Sequence, residues 1–275
     1  MRGLVFRPSK KDYLWERSPF FGAASIAYDL APLGRLEAVC KSSLQEHPLY
    51  QDHFYSCVVC AATFVNQYNS LFRSGNPAYL SWPFAYSQVA HYPTGTIPQD
   101  VLDFLRKTGQ PENSSLPQEK VWAAEDFFVS NPNLAASETG VGADRYRIGE
   151  YFFWKKPTLQ TLYPALKDDP LLIGIFVDPA TWIDEGIIPP TNRGYQHMVV
   201  LLDIDKDWNM KVVSWDKKDA LDIRTLHKDY PLLMAAVIRD LPDGTDTARL
   251  RRGWSIGDIL GRWRVSRRTV IAAVS

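Results

Sequence analysis

The chain has 275 residues, of which 45% are hydrophobic and 23% charged, the balance of a globular protein rather than of a disordered or membrane-embedded one. Lysine plus arginine equals aspartate plus glutamate at 31 each, so net charge points to neither nucleic acid nor an acidic surface as a partner. The three cysteines, Cys40, Cys57 and Cys60, are an odd set too small for a disulfide scaffold and fit a reducing compartment.

Residues 1–28 are rich in aromatic and basic groups and read as an arm laid across a finished domain. Arg2, Arg7, Lys10, Lys11, Asp12, Glu16 and Arg17 leave no continuous apolar stretch between them, so no secretory signal is read there. No segment reaches the ~20 apolar residues of a membrane helix. A soluble, cytoplasmic protein without a membrane partner is the expectation.

Residues 29–145 read as a helical lobe. In residues 57–71, Val58, Ala61, Ala62, Val65 and Leu71 form an apolar stripe that neither Gly nor Pro interrupts, which predicts a helix. Residues 97–107 predict a second, amphipathic helix with Val101, Leu102 and Leu105 on one face and Gly109 as its stop. Residues 111–142 are polar, with scattered Pro, Asn, Ser and Gly, and suit a long surface excursion.

Residues 146–243 read as a β-rich lobe. Residues 147–154 are aromatic and β-like, 158–167 suit a short helix, and 171–177 form an unbroken apolar run typical of a buried strand. Residues 197–202, 210–215 and 234–238 predict three further strands, the first two joined by a turn at Asp205, Lys206 and Asp207. Helices first and strands later predict an α+β protein with segregated lobes.

A cysteine nucleophile needs a lowered thiol pKa, an adjacent imidazole and donors for an oxyanion. Cys57 stands at the first turn of its predicted helix, where unpaired N–H groups and the macrodipole favour thiolate. His197 opens an apolar strand far downstream, and Gln51 lies six residues before Cys57, within reach of a developing oxyanion.

The order of these parts resembles the papain-like cysteine peptidase family, in its divergent bacterial and phage-type form. Gln51-Asp52-His53-Phe54-Tyr55-Ser56-Cys57 is similar to the family segment in which glutamine, four residues and serine precede the nucleophile. Tyr28-Asp29-Leu30 resembles the start of the mature domain, and Leu80-Ser81-Trp82-Pro83 the segment ahead of the second helix. Gly95-Thr96 resembles the glycine-containing substrate strand, and residues 162–177 the helix and strand that begin the β-lobe. Gln196-His197-Met198-Val199-Val200 resembles the histidine strand, and Ser214-Trp215 the end of the Asn-Ser-Trp motif. The resemblance spans roughly residues 29–240.

It implies a two-lobed fold, a helical lobe followed by an antiparallel, barrel-like β-lobe. It implies Cys57 as nucleophile, His197 as general base and acid, and Gln51 as oxyanion donor beside the Cys57 amide. Trp215 is implied as a shield over the imidazole at the cleft, with Gly95 and Thr96 bonding an extended peptide. Peptide or isopeptide hydrolysis on a peptide or protein substrate follows, with no cofactor. The alternative is a degenerate member of the fold kept as an interaction or structural subunit.

Two positions depart from the family. Its histidine-orienting asparagine aligns with Val213, so Asp216 is expected to orient His197 in its place, in preference to Ser214. Tyr55 stands where the family carries a small glycine, and narrows the cleft.

Bland readings compete with these. Cys57-Val58-Val59-Cys60 is a Cys-x-x-Cys, but no second pair accompanies it, so redox and metal chemistry are set aside and Cys60 reads as core. His53 and His91 read as solvated loop residues, and no phosphate-binding glycine loop occurs. Residues 244–275 hold seven arginines against Asp246 and Asp258, a formal +5 that leaves −5 on the remainder. Residues 255–270 resemble a helix-turn-helix pair, yet they are too short to bury a core of their own. A docking arm is the expected role, and nucleic acid is retained as a partner only through this tail.

Overall fold

The computed structural model describes residues 35–52, 54–74, 77–90, 95–122, 142–154, 157–167 and 169–239. The arm at 1–28, the Tyr28-Asp29-Leu30 start, His53, His91 and the basic tail lie outside these residues. Helices come first: α1 (Arg35–Leu44), α2 (Cys57–Ser74), α3 (Trp82–Val89), α4 (Pro98–Lys107) and α5 (Gln118–Trp122), then a 3-10 turn at Ala143–Tyr146. Strand β1 (Glu150–Trp154) precedes helix α6 (Leu159–Leu166). The remaining strands are β2 (Leu171–Val177), β3 (Ile187–Ile188), β4 (Tyr195–Ile204), β5 (Met210–Ser214), β6 (Asp222–Leu226) and β7 (Met234–Arg239).

Helix α2 is the axle of the helical part. Every residue from Cys57 to Leu71 is buried, the polar ones included. A helix apolar on one stripe only must have its polar stripe satisfied if it is enclosed all round. Asn66 donates to the Tyr146 carbonyl at 2.9 Å, and Gln110 Nε2 donates to Thr63 Oγ1 at 2.6 Å. The Leu80 amide donates to Gln67 Oε1 at 2.9 Å, and the Ala78 amide to Ser70 Oγ at 2.7 Å. These bonds tie the surrounding loops to the helix that carries Cys57.

The shorter helices start where capping chemistry places them. Ser81 caps α3 by accepting the Phe84 amide, and Thr158 and Thr161 form a capping box on α6. Helix α4 buries Val101, Leu102 and Leu105 as its sequence periodicity predicts. Gly109 ends that segment at φ +85, where a Cβ would stand 2.0 Å from the Ala143 carbonyl oxygen.

The strands form one seven-stranded sheet in the order β1-β7-β2-β4-β5-β6-β3, antiparallel throughout except for the β3–β6 pair. The α+β class with helices preceding strands is as the sequence predicts. The closure is not: the sheet is open, with β1 and β3 at its edges, so the barrel-like expectation is corrected. Helix α2 packs on β2 and β4, and α6 also reaches β4, which is why β4 is buried from His197 to Ile204 without alternation.

Two segments were misjudged from composition. Residues 111–122 are a surface excursion only in part: Glu112, Ser114, Glu119 and Lys120 are exposed, but Gln118 is 1% exposed, accepts the Trp82 indole N–H at 2.9 Å and donates to the Pro48 carbonyl. Strand β6 is not among the strands expected from the sequence: Asp222 and Arg224 are charged, yet both are buried against each other.

Candidate active site

Cys57 opens α2 immediately after Ser56, whose carbonyl accepts the Cys60 amide at 2.8 Å as the first helical bond. The thiol is 1% exposed. Burial drives its pKa up to about 12, although the amides of Met198, Val58 and Cys57 itself point at the sulfur and pull the other way. The Met198 amide belongs to β4 and directly follows His197, so the helix start and the histidine strand meet at this sulfur.

His197 occupies the third position of β4, opposite Ile175 of β2. Gly194, three residues before it, sits at φ +95, where a Cβ would stand 1.9 Å from the Val177 carbonyl oxygen. Only glycine lets the loop from β2 return this closely to the sheet. The imidazole is 2% exposed, and burial lowers its pKa to about 4 against the opposing pull of Asp216, with Arg224 adding to the lowering. Burial thus disfavours the charged form of both the thiol and the imidazole.

His197 Nε2 lies 3.1 Å from Ser214 Oγ, and Ser214 Oγ donates to Asp216 Oδ2 at 3.0 Å. The expected Asp216 contact is thus corrected: Ser214 stands between the carboxylate and the ring. A side chain two residues further along has already turned past the last paired position of β5, Ser214–Asp222. Val213, at the family's asparagine position, is core.

Asp216 Oδ2 collects further donors, the Trp182 indole N–H at 2.8 Å and Arg224 at 3.4 Å. Burial would raise its pKa, but His197, Trp182, Ser214 and Arg224 outweigh burial and hold it below the usual carboxylate range. Arg224 also pairs with Asp222 and with Asp184, both at 3.1 Å, and its guanidinium lies 4.7 Å from the Trp182 ring centre. Trp182 and Tyr195 both meet the His197 ring edge-on at 6.1 Å.

The remaining expectations divide. Gln51 is tied to Trp215: its backbone amide donates to the Trp215 carbonyl at 3.2 Å, and Oε1 is buried with no hydrogen-bond partner among the described residues. Trp215 is buried. It is 1% exposed, its indole donates to the Met198 carbonyl at 2.8 Å, and its ring packs on Phe64. Trp182 is the tryptophan whose ring meets the imidazole. Gly95 has φ +96, and Thr96 is 1% exposed with Oγ1 unpartnered among the described residues, so its side chain is turned inward.

Sequence reasoning missed Trp182 and Arg224, and ranked Ser214 below Asp216. Trp182 lies in a loop with no periodicity, and only the strand register shows which of residues 213–216 faces the ring. Cys40, Cys57 and Cys60 are all free thiols. Among the described residues no cluster of three His, Cys, Asp or Glu is placed to hold a metal, and no helix is long and apolar enough to cross a membrane.

No protein-family profile matches the chain, and no curated protein sequence matches it. Its likenesses are to solved structures, and they define the class: the chain has the papain-like cysteine protease fold. Xylellain, a cysteine protease from Xylella fastidiosa, superposes with a TM-score of 0.65 at 16% identity, over 87% of this chain and 96% of that one. The proform of the ragweed pollen cysteine protease Amb a 11 gives 0.62 at 13% identity, over 82% and 71% of the two chains. The clostridial cysteine protease Cwp84 gives 0.54 at 13% identity, over 72% and 55%.

Proposed function

We propose that the chain is a cysteine-type peptidase, with Cys57 as nucleophile and His197 as general base and acid. The observation that supports this best is the meeting of the α2 start with β4, which brings the Cys57 sulfur to the amide of the residue following His197. With Nε2 engaged by Ser214, the other ring nitrogen, Nδ1, is the one left to exchange a proton with the thiol.

Nδ1 takes the thiol proton, and the thiolate adds to the substrate carbonyl carbon. The oxyanion draws N–H donors from the Gln51 carboxamide and the Cys57 amide. The imidazolium then protonates the leaving amine as the C–N bond breaks. Water, deprotonated by Nδ1, hydrolyses the thioester and restores the thiol. The substrate is a peptide or protein, cut at a peptide or isopeptide bond. Gly95 and Thr96 are proposed to serve the extended substrate through backbone groups, since the Thr96 side chain is buried. The basic tail remains a candidate docking arm.

A second reading has its own support. Cys57 and His197 are both nearly inaccessible, and burial disfavours the charged form of each. A degenerate member of the fold, retained as an interaction subunit, fits that closed site. Iodoacetamide, followed by mass mapping of the modified residue, separates the two. Labelling of Cys57 well above the rate of an unactivated thiol supports the peptidase, and a Cys57 no faster than Cys40 and Cys60 supports the scaffold.

A further inference from the structure

A serine hydroxyl has one proton to give. Ser214 Oγ is flanked by two groups, His197 Nε2 at 3.1 Å and Asp216 Oδ2 at 3.0 Å. An ionised carboxylate can only accept, so the Ser214 proton goes to Asp216 and the oxygen is left as an acceptor towards the ring. His197 must then carry its proton on Nε2.

We infer that Ser214 and Asp216 together replace the single orienting side chain of this fold: Asp216 fixes the hydroxyl, and the hydroxyl fixes His197 as the Nε2–H tautomer with Nδ1 free to act as base. Ser214 and Asp216 are positioning residues in this arrangement, because both act through the His197 ring. The inference deepens the peptidase reading and rests on it for its catalytic meaning, but the tautomer itself is a property of the folded chain.

Three further features hold the relay in this polarity. Trp182 Nε1 and Arg224 both donate to the same Asp216 oxygen, which keeps that carboxylate in the acceptor form. The Asp216 amide donates to Asp222 Oδ2 at 3.3 Å, and Asp222 is itself paired with Arg224, so the turn after β5 is fixed from its backbone. Ser214 is 1% exposed, so water does not compete for its hydroxyl. Among the described residues, Asp216, Arg224, Tyr195 and the proposed nucleophile Cys57 are titratable or charged side chains near the imidazole, with Asp222, Asp184 and Lys217 behind Arg224. Arg224 is the cation that reaches Asp216, and it is already shared by three carboxylates.

The test is direct observation of the ring proton. The full chain, labelled with ¹⁵N-histidine, is compared with Ser214→Ala and Asp216→Ala by long-range ¹H–¹⁵N correlation at neutral pH, the signal being assigned through His197→Asn. The parent is expected to show Nε2–H in at least roughly tenfold excess, the preference that one bond into a charge-assisted chain supports. Ser214→Ala should collapse that excess, and Asp216→Ala should move the proton towards Nδ1, because the freed hydroxyl then donates to Nε2. A parent protonated on Nδ1, or variants that leave the ratio unchanged, overturns the relay. The parent spectrum decides the matter even if a variant fails to fold. Iodoacetamide labelling in the same samples keeps the two ideas apart. An inert Cys57 with Nε2–H in place removes the peptidase reading alone, and a fast Cys57 with the proton on Nδ1 removes the relay alone.

Discussion

Val213 is paired with Val200 across the β4–β5 ladder, and the residue after it, Ser214, is the one that meets His197. Strand side chains alternate faces, so this pairing sends Val213 into the core and Ser214 to the imidazole. Val213→Asn therefore does not restore an orienting carboxamide. It buries an amide among apolar neighbours, and should cost about 1–3 kcal/mol with no gain in Cys57 reactivity. Thermal unfolding and iodoacetamide labelling of this variant check both halves, and an accelerated Cys57 would show that the register is wrong.

Cys57→Ala should remove all rapid labelling by thiol reagents while the protein stays folded, since Cys40 and Cys60 are fully buried. With the thiol pushed up to about 12, labelling of the closed form should climb about tenfold per pH unit across the neutral range. A rate that is flat from weakly acidic to neutral pH would instead reveal a preformed thiolate. Intact-mass kinetics on parent, Cys57→Ala and Cys60→Ala supply the comparison.

Gln51→Ala should lower kcat by ~10²-fold through loss of one oxyanion donor. The fold should hardly notice, because Gln51 is tied to the rest of the protein by its backbone, through the Trp215 carbonyl and the Phe54 amide. Turnover of a casein or peptide-library substrate, set beside the thermal midpoint, tests this. An unchanged kcat with an intact fold would leave Gln51 as a loop residue.

His197 makes stability depend on acidity with a definite sign. Its folded pKa of about 4 lies below the ordinary 6.5, so between these values the unfolded chain binds the extra proton. Its contribution is fully present above 6.5 and is lost as pH falls towards 4, at roughly 1 kcal/mol per pH unit within that window. Urea midpoints of parent and His197→Asn across pH 4–7 should diverge, the parent losing more on the acid side. Parallel curves would mean that the ring ionises freely in the native state.

Trp182 covers the imidazole while anchored to Asp216 through its indole N–H and to Arg224 through its carbonyl, at 3.3 Å. Trp182→Ala should open the site, raising the iodoacetamide rate at Cys57 several-fold, and should cost stability on the order of 1–3 kcal/mol from the lost packing. If labelling slows in a folded Trp182→Ala protein, Trp182 acts by aiming Asp216 and not as a cover.

Much of the architecture was legible because it rests on local periodicity. The unbroken apolar stripe of residues 57–71, the all-apolar run of Leu171–Val177 and the strands at His197 and Met234 need only their own side chains to declare themselves. Cys57 at a helix start, His197 at a strand start and Gln51 upstream were readable as an ordered set. Charged residues hid the rest. Asp222 and Arg224 disguise a strand because their charges are met from elsewhere in the chain: Asp222 pairs with Arg224 and Lys217, and Arg224 also pairs with Asp184 and Asp216. Gln118 looks like loop until Trp82 and Pro48 come to it across 36 and 70 residues. Which of Val213, Ser214 and Asp216 faces the imidazole depends on the β4–β5 register, and that register shifts at a bulge between Leu201 and Asp203. By itself the sequence determined most of the elements and nominated Cys57 and His197 as the pair to test. The tertiary structure alone decided that Ser214 carries the link from Asp216 to His197 and that Trp182 closes over it. A hydrogen bond between distant residues is set by pairing register and loop closure, and neither is written in local periodicity.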